Sequence, residues 1–175
     1  MCTPRSTRSV LTGAVVAALL FAPTTAIAQD GPPVAAPHRQ TVSTNPFGLM
    51  FEWFNAEYER TLTARTTWGV SGSYLGIDGF DYANGNVVFR FYPQGAALHG
   101  FFVGSRTGVF RVSDDDEAAT LFGAGFEVGY NWLLGSDRNF DVSIGVGATR
   151  LFGGALSGAP VVIPTIRLIN LGISF

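Results

Sequence analysis

The stretch that decides the fold is PTIRLINLGISF, residues 164–175. Counting back from Phe175, alternate positions are apolar, and the positions between them are mostly small or polar. The first set is Phe175, Ile173, Leu171 and Ile169, and the second is Ser174, Gly172, Asn170 and Leu168. This alternation predicts a β-strand with one apolar face. Sheets of soluble proteins alternate in the same way, so the question is whether the apolar face meets a protein core or lipid.

The composition of the 175-residue chain favours a single all-β domain. Glycine (22 residues) and phenylalanine (15 residues) are abundant, only 14% of residues are charged, and every basic residue is arginine. Such usage is typical of aromatic- and glycine-rich β proteins. After residue 28 the sequence has no run of 18 apolar residues, which excludes a helical membrane protein.

The first 28 residues have the pattern of a cleaved secretory signal peptide. Arg5 and Arg8 form a positive region, an apolar stretch follows, and a small-residue cleavage site ends at Ala28. The apolar stretch is shorter than the ~20 residues of a membrane-spanning helix. Cys2, the only cysteine, lies within this segment. The mature chain is therefore expected to have no disulfide and no cysteine metal ligand.

Residues 29–40 are rich in proline and alanine, which predicts a flexible linker before a barrel domain at 41–175. From Gln29 onwards, nine arginines oppose 13 acidic residues, so the formal net charge is −4. This charge argues against nucleic acid as a partner.

From residue 41 onwards, alternating segments are separated by turn residues. We predict eight strands, at about 41–53, 55–63, 67–75, 84–92, 100–112, 119–134, 139–152 and 161–175. Short connections alternate with longer or more polar ones, the latter being 76–83, 113–118 and 153–160. That asymmetry predicts an antiparallel up-and-down transmembrane barrel with tight periplasmic turns, longer external loops and both termini on the inner side of the membrane. The first connection, near Trp53–Asn55, is short where a long loop is expected.

The ionised residues set the phase of each strand. On 119–134, large apolar side chains share one face, whereas glycines, Glu127 and Asn131 share the other. The small polar face suits a narrow barrel interior, and the large apolar face suits lipid. An arginine facing lipid near the midplane costs about 2–4 kcal/mol, so Arg106 is placed inside. Aromatic residues near strand ends are expected to form interfacial girdles: Trp68, Tyr130, Trp132, Phe140, Phe152 and Phe175.

The same reasoning predicts a charge cluster inside the barrel. Its members are Glu57, Glu59, Arg90, Arg106, Glu127 and Asp141, with Glu52 as a further candidate. Arg106 and Glu127 fall at similar heights on adjacent strands, which predicts an ion pair. Carboxylates outnumber arginines in this set, so water or protonated carboxyl groups are expected inside. Arg150 and Arg167 are expected on the outer face, near lipopolysaccharide phosphates.

Three stretches, NPFGL (45–49), NAEYERTL (55–62) and RFYPQG (90–95), resemble a family of small bacterial outer-membrane β-barrel proteins. The resemblance covers roughly residues 41–175, and the architecture is similar to the OmpA and OmpX barrels. It implies the outer membrane of a Gram-negative bacterium, with lipid, lipopolysaccharide and the barrel assembly machinery as partners. It also implies that Phe175 belongs to a C-terminal signal read by that machinery. The family supplies no catalytic residues.

Other candidate sites are weaker. The acidic run SDDDE (113–117) lacks the spacing and the glycine of a calcium loop and is expected to be a solvated loop. His99 is a candidate for a lipid-hydrolysing enzyme, but it falls in a turn without a serine partner. His38 lies in the linker and forms no metal pair with His99. We therefore predict no catalytic residue, metal or cofactor.

Eight strands leave an interior just wide enough for side chains, which excludes a large pore. The sequence thus predicts a non-enzymatic outer-membrane barrel with a structural or surface-interacting role. Three alternatives stay open: a narrow channel or small-ligand transporter, a soluble lipocalin-like binding barrel, and a lipid-modifying enzyme.

Overall fold

The structure is a computed structural model that describes residues 38–77, 79–94, 96–114, 117–153 and 161–175. The predicted signal peptide, residues 29–37 of the predicted linker and most of the predicted loop 153–160 lie outside the described residues. Within these ranges, no helix has the length and apolar character needed to cross a membrane.

The described chain forms eight strands and one short 3-10 helix. The strands are β1 (Gln40–Thr44), β2 (Trp53–Thr61), β3 (Thr66–Ile77), β4 (Phe80–Phe91), β5 (Gly100–Asp114), β6 (Glu117–Leu134), β7 (Phe140–Phe152) and β8 (Val161–Ser174), and the helix is η1 (Gly48–Phe51). Each strand pairs antiparallel with the next, and β8 pairs with β1. The predicted all-β, closed eight-stranded antiparallel barrel is therefore confirmed.

The two ends of the barrel differ in their connections. The terminal end holds the start of β1, the end of β8 and the connections 62–65, 92–99 and 135–139. The far end holds the connection 45–52 and the strand ends on either side of residues 78–79, 115–116 and 153–160. We use these two names below.

The alternation in the sequence decides which side chains enter the barrel. On β6, Glu127 is 2% exposed, whereas Phe126 beside it is 61% exposed. On β5, Phe102 and Phe110 are buried on the same face as Arg106. The predicted phases of β5 and β6 therefore agree with the structure.

Glycines on the inner face of β6 make room for the phenylalanine rings of β5. A Cβ on Gly129 would lie 2.5 Å from Cζ of Phe102, and a Cβ on Gly123 would lie 2.4 Å from Cε2 of Phe110. Real Cβ atoms do not approach this closely, so larger residues here would displace the rings. The glycine-rich face is thus a packing feature of a narrow interior.

A β-bulge in β8 overturns part of the predicted phase. The register between β7 and β8 shifts between Ser143 and Gly145, where β8 has one residue more than β7. Leu168 and Ile169 are consequently both exposed, and the alternation inverts for the residues before them. Arg167, expected on the outer face, is 8% exposed and lies inside. Counting back from the C-terminus fails because a bulge adds one residue.

The predicted first strand, 41–53, is wrong, because β1 is only five residues long. Oδ1 of Asn45 accepts hydrogen bonds from the backbone N–H of Phe47 (3.0 Å) and of Gly48 (3.3 Å), which turns the chain out of the strand. The connection between β1 and β2 is therefore 45–52. This explains the first connection, which looked too short in the sequence.

Glu52, a candidate for the interior, lies outside it. The residue is exposed and has a left-handed backbone conformation with φ of 56°. It ends the turn that precedes β2, so the inward phase of β2 does not extend to it.

Two of the predicted long connections are mostly strand. Only residues 78–79 separate β3 from β4, and only 115–116 separate β5 from β6. The β3–β4 ladder continues to the pair Ile77 and Phe80, and Gly79 turns the chain with φ of +86°. Gly79 therefore marks a short connection at this place rather than a long loop.

Candidate functional site

At the terminal end, the connection between β4 and β5 folds into the mouth of the barrel. Tyr92 and Leu98 are 0% exposed. The N–H of Tyr92 donates to the carbonyl of Arg65 at 2.8 Å, and Nδ2 of Asn131 donates to the carbonyl of Leu98 at 3.1 Å. The Tyr92 ring centroid lies 5.8 Å from that of Phe102. Packed side chains therefore fill this end of the interior.

Arg90 of β4 is the centre of an ion-pair network in the middle of the barrel. Its Nη1 donates to Oε1 of Glu57 at 2.7 Å and also to Oε2 of Glu59. Its Nε donates to Oε1 of Glu127 at 2.6 Å. The guanidinium carbon lies 4.9 Å from the ring centroid of Phe102. One buried cation thus joins carboxylates from β2 and β6.

Two further arginines complete the network. Nη2 of Arg167 on β8 donates to Oε2 of Glu57, and its Nη1 donates to Oγ of Ser143 at 3.2 Å. Nη2 of Arg106 on β5 donates to Oε2 of Glu127 at 3.1 Å, which is the pair expected from the sequence. The network therefore connects β2, β4, β5, β6 and β8.

Arg167, which lies inside the barrel, changes the charge balance of the interior. Three arginines now face the three glutamates of the network, so the network is formally neutral. Asp141 stands apart from it, and its Oδ2 accepts a hydrogen bond from Nδ2 of Asn131 at 2.8 Å. The large excess of carboxylates that the sequence suggested is therefore reduced to this single residue.

Sequence reasoning missed Arg167, although one signal was present. Two large apolar residues, Leu168 and Ile169, stand side by side in a strand that otherwise alternates. Such a pair is typical of a bulge, where both side chains can face the same way. Reading that pair as a bulge would have turned Arg167 inward.

The ion-pair network has more hydrogen-bond donors than its carboxylate oxygens engage. Every carboxylate oxygen of Glu57, Glu59 and Glu127 accepts at least one hydrogen bond, with the Tyr92 hydroxyl donating to Oε1 of Glu59 at 2.9 Å. Within the described ranges, Nη2 of Arg90 and Nε of Arg106 are buried without a hydrogen-bond partner. The unused bonding capacity of the site is therefore that of a donor.

An apolar cluster fills the interior towards the far end. Phe110, Leu121 and Leu151 are buried together, and Tyr82, Val161 and Ile163 pack against them. The network thus lies between two packed regions of the interior.

The outer face of the barrel is apolar on every strand. One exposed large apolar side chain from each strand, in chain order, is Val42, Phe54, Val70, Phe89, Val103, Phe126, Val146 and Ile166. The rings of Tyr130 and Trp132 lie 4.6 Å apart on this face. Arg150 is exposed, with its guanidinium carbon 5.2 Å from the ring centroid of Phe152.

The remaining predicted residues lie outside the network. The carbonyl of Phe175 accepts hydrogen bonds from the N–H groups of Arg39 (3.1 Å) and Gln40 (3.0 Å), and its side chain is exposed. His38 contacts the carbonyl of Asp137 through Nε2 at 2.8 Å. Burial and the nearby charge of Arg138 lower the pKa of His99.

Among the described residues, no group of His, Cys, Asp and Glu has the arrangement of a metal site. Of the acidic run 113–117, residues 115–116 and the side chains of Asp114 and Glu117 lie outside the description.

Comparison with known proteins gives two similarities. No curated protein matches the chain. Among solved structures, the chain is similar to the crystal structure of the N-terminal β-barrel domain of Pseudomonas aeruginosa OprF, with 12% sequence identity and a TM-score of 0.46, over 79% of this chain and 98% of that one. The family model described as "Protein of unknown function (DUF3575)" matches residues 15–152. Because this match covers more than half of the chain, the protein belongs to the DUF3575 family.

Proposed function

We propose that this protein is an integral outer-membrane β-barrel with a structural or surface-interacting role and without catalytic activity. One observation carries the proposal: ionised side chains pair inside the barrel, while large apolar side chains face outward on all eight strands. A barrel made for water would expose polar side chains instead of residues such as Phe126 and Val146. An outer face of this kind matches hydrocarbon.

The backbone supports the same conclusion. Hydrocarbon offers no hydrogen-bond partner, so a membrane-spanning sheet pairs its own N–H and C=O groups by closing, and this barrel is closed with an incomplete ladder only beside the short β1. Strands β3 to β8 each contain at least 12 residues, more than the ~9–11 that cross a bilayer.

The filled interior favours a structural role over a channel. Tyr92 and Phe102 pack below the ion pairs, and Phe110 packs above them. We expect no steady conductance in planar bilayers, either for the natural chain or for Glu127→Gln. A conductance that changes on this substitution would favour the narrow channel instead.

We orient the barrel with its terminal end in the periplasm and its far end at the cell surface. Arg150, exposed on β7 two residues before that strand ends at the far end, is then available to lipopolysaccharide phosphates. Phe175, which follows β8 directly and is exposed at the terminal end, is available to the barrel assembly machinery.

Expression of the full chain in a Gram-negative host tests the proposal. The membrane fraction is compared on a gel before and after boiling, and we expect the unboiled protein to migrate as a folded barrel at a different position. A chain that is extracted without detergent and stays compact and monomeric in plain buffer would contradict the proposal. That result would favour the soluble binding barrel.

A further inference from the structure

The wall of the barrel is incomplete beside β1. This strand pairs with β2 over Gln40–Ser43 and with β8 over Thr41–Thr44. Beyond these pairs, 53–56 of β2 and 161–170 of β8 have no strand partner on the side of β1 among the described residues. At the edge of β2, Oγ1 of Thr44 donates to the carbonyl of Asn55, and the N–H of Asn45 donates to Oδ1 of Asn55 at 2.7 Å. Between Ala56 of β2 and the edge of β8, the half of the wall towards the far end therefore has an opening.

A cavity of about 110 Å³ lies at this opening. Its floor includes Arg106 and Glu127, which belong to the inner face. Its rim includes Ala56, Pro164 and Ile166, which are exposed on the outer face of the two edge strands. Because residues from both faces line it, the cavity connects the interior to the outer surface sideways, through the wall.

The chemistry of the floor defines the head group of a ligand. Arg106 lines the cavity, and its guanidinium has one hydrogen-bond partner among the described residues, Glu127, whereas every carboxylate oxygen of the network already accepts a hydrogen bond. The floor therefore offers a hydrogen-bond donor, and an oxygen atom of the ligand can accept from it. The arginines and glutamates of the network balance, so an ionised ligand would bring an uncompensated charge into a buried site, which is costly.

The rim and the size of the cavity define the rest of the ligand. Pro164 and Ile166 are apolar, and proline has no N–H to leave unpaired on an edge strand. The volume is well below the ~300–1,000 Å³ of pockets that enclose a drug-sized ligand. The site thus has space for a small head group, with the attached chain left outside in the bilayer.

We propose that this cavity binds the uncharged head group of a single-chain amphiphile, such as a monoacylglycerol, which enters from the bilayer between β2 and β8. An ester carbonyl oxygen accepts a hydrogen bond from the guanidinium of Arg106, and the acyl chain lies along the rim. This inference rests on the proposed membrane location, because the ligand arrives through lipid.

Trp53 lines the cavity and reports on its occupancy. Trp68→Phe with Trp132→Phe leaves Trp53 as the only tryptophan, and the matched control, Trp53→Phe with Trp68→Phe, leaves Trp132 on the outer face. The probe is a monoacylglycerol brominated on its acyl chain, added to the full protein in detergent micelles. We expect saturable quenching of Trp53 and only gradual, non-saturating quenching of Trp132. The brominated fatty acid, ionised at pH 8, should need at least about a tenfold higher concentration.

A second pair of variants tests the route without disturbing the network. Ala56→Phe fills the rim and should abolish the saturable quenching, whereas Val70→Phe, on the outer face of β3, should leave it unchanged. Non-saturable quenching of Trp53, or equal binding of the fatty acid, overturns the inference. If the gel shift on boiling is present in those samples, the inference alone fails. If the shift is absent, the membrane location fails first and the inference with it.

Discussion

The wall formed by β3 to β6 and the seam formed by β8, β1 and β2 hold together in different ways. In the wall, β5 and β6 pair over 15 residues and β3 and β4 over 12. At the seam, β1 makes four residue pairs with each neighbour. Across it, the ion pair between Glu57 of β2 and Arg167 of β8 joins the flanking strands directly. At the seam, a side-chain ion pair thus adds a link between strands that have few backbone pairs, whereas in the wall the backbone ladder holds the strands together.

The difference begins in the sequence NPFGLM, residues 45–50. Asn45 binds the backbone that follows it, and Pro46 cannot donate to a ladder, so β1 stops after five residues. Strands β3 to β6 contain no such interruption, and only two residues separate β3 from β4 and β5 from β6. The seam is therefore the place where opening, exchange and ligand entry are expected first.

The largest expected effect comes from Arg90, which links the wall to the seam. Arg90→Leu leaves the carboxylates of Glu57, Glu59 and Glu127 buried with too little positive charge. We expect the free energy of unfolding to fall by about 3–5 kcal/mol. Urea unfolding in detergent micelles measures it. Arg111→Leu, at an exposed position of β5, is the control, and equal midpoints for the two variants would show that the network does not stabilise the barrel.

Arg167 tests the seam alone. Arg167→Gln removes the link between β2 and β8, and we expect a loss of about 1.5–3 kcal/mol in the free energy of unfolding. Amide hydrogen exchange should accelerate in β1 and β8 more than in β5 and β6. The matched change Arg150→Gln, on the outer face of β7, should alter neither measurement. Exchange that accelerates evenly around the barrel would contradict the distinction between seam and wall.

Replacing Arg106 tests the part of the network that lies in the wall, and we expect a smaller loss of stability. The one ion pair of Arg106 is with Glu127, which keeps Arg90 as a partner after Arg106→Ala. We expect a loss of about 1–2 kcal/mol in the free energy of unfolding, against no measurable loss for Arg111→Ala. The measurement is the thermal midpoint in detergent. Identical midpoints for the two variants would place Arg106 on the wrong face of β5.

The smallest effect concerns His99, in the connection that closes the terminal end. Because its pKa is lowered in the folded protein, the unfolded chain takes up a proton first as the pH falls through about 6.5. Stability should therefore decrease below pH 6.5 and show no contribution from His99 above it. His99→Gln should remove this part of the pH dependence. If the free energy of unfolding of the natural chain and of His99→Gln changes in parallel from pH 7.5 to pH 5, burial does not lower the pKa of His99.

The phases of β5, β6 and β7 were predictable because side-chain direction alternates along any regular strand. Glu127, Arg106 and Asp141 could be placed inside for that reason. Glu52 was misplaced because a turn, and not the pattern, sets where β2 begins. The loops expected at 76–83 and 113–118 were too long, since turn residues in the sequence do not show how far a ladder continues on each side.

The sequence by itself determined the class of fold and, wherever a strand is regular, the face on which each side chain lies. Both follow from a local period of two residues. Only the tertiary structure decided which charges meet, because Arg90 on β4 reaches Glu57 on β2 and Glu127 on β6 across a closed barrel. It also decided the inward turn of Arg167 and the short β1, since a bulge and a strand end depend on register against a neighbouring strand.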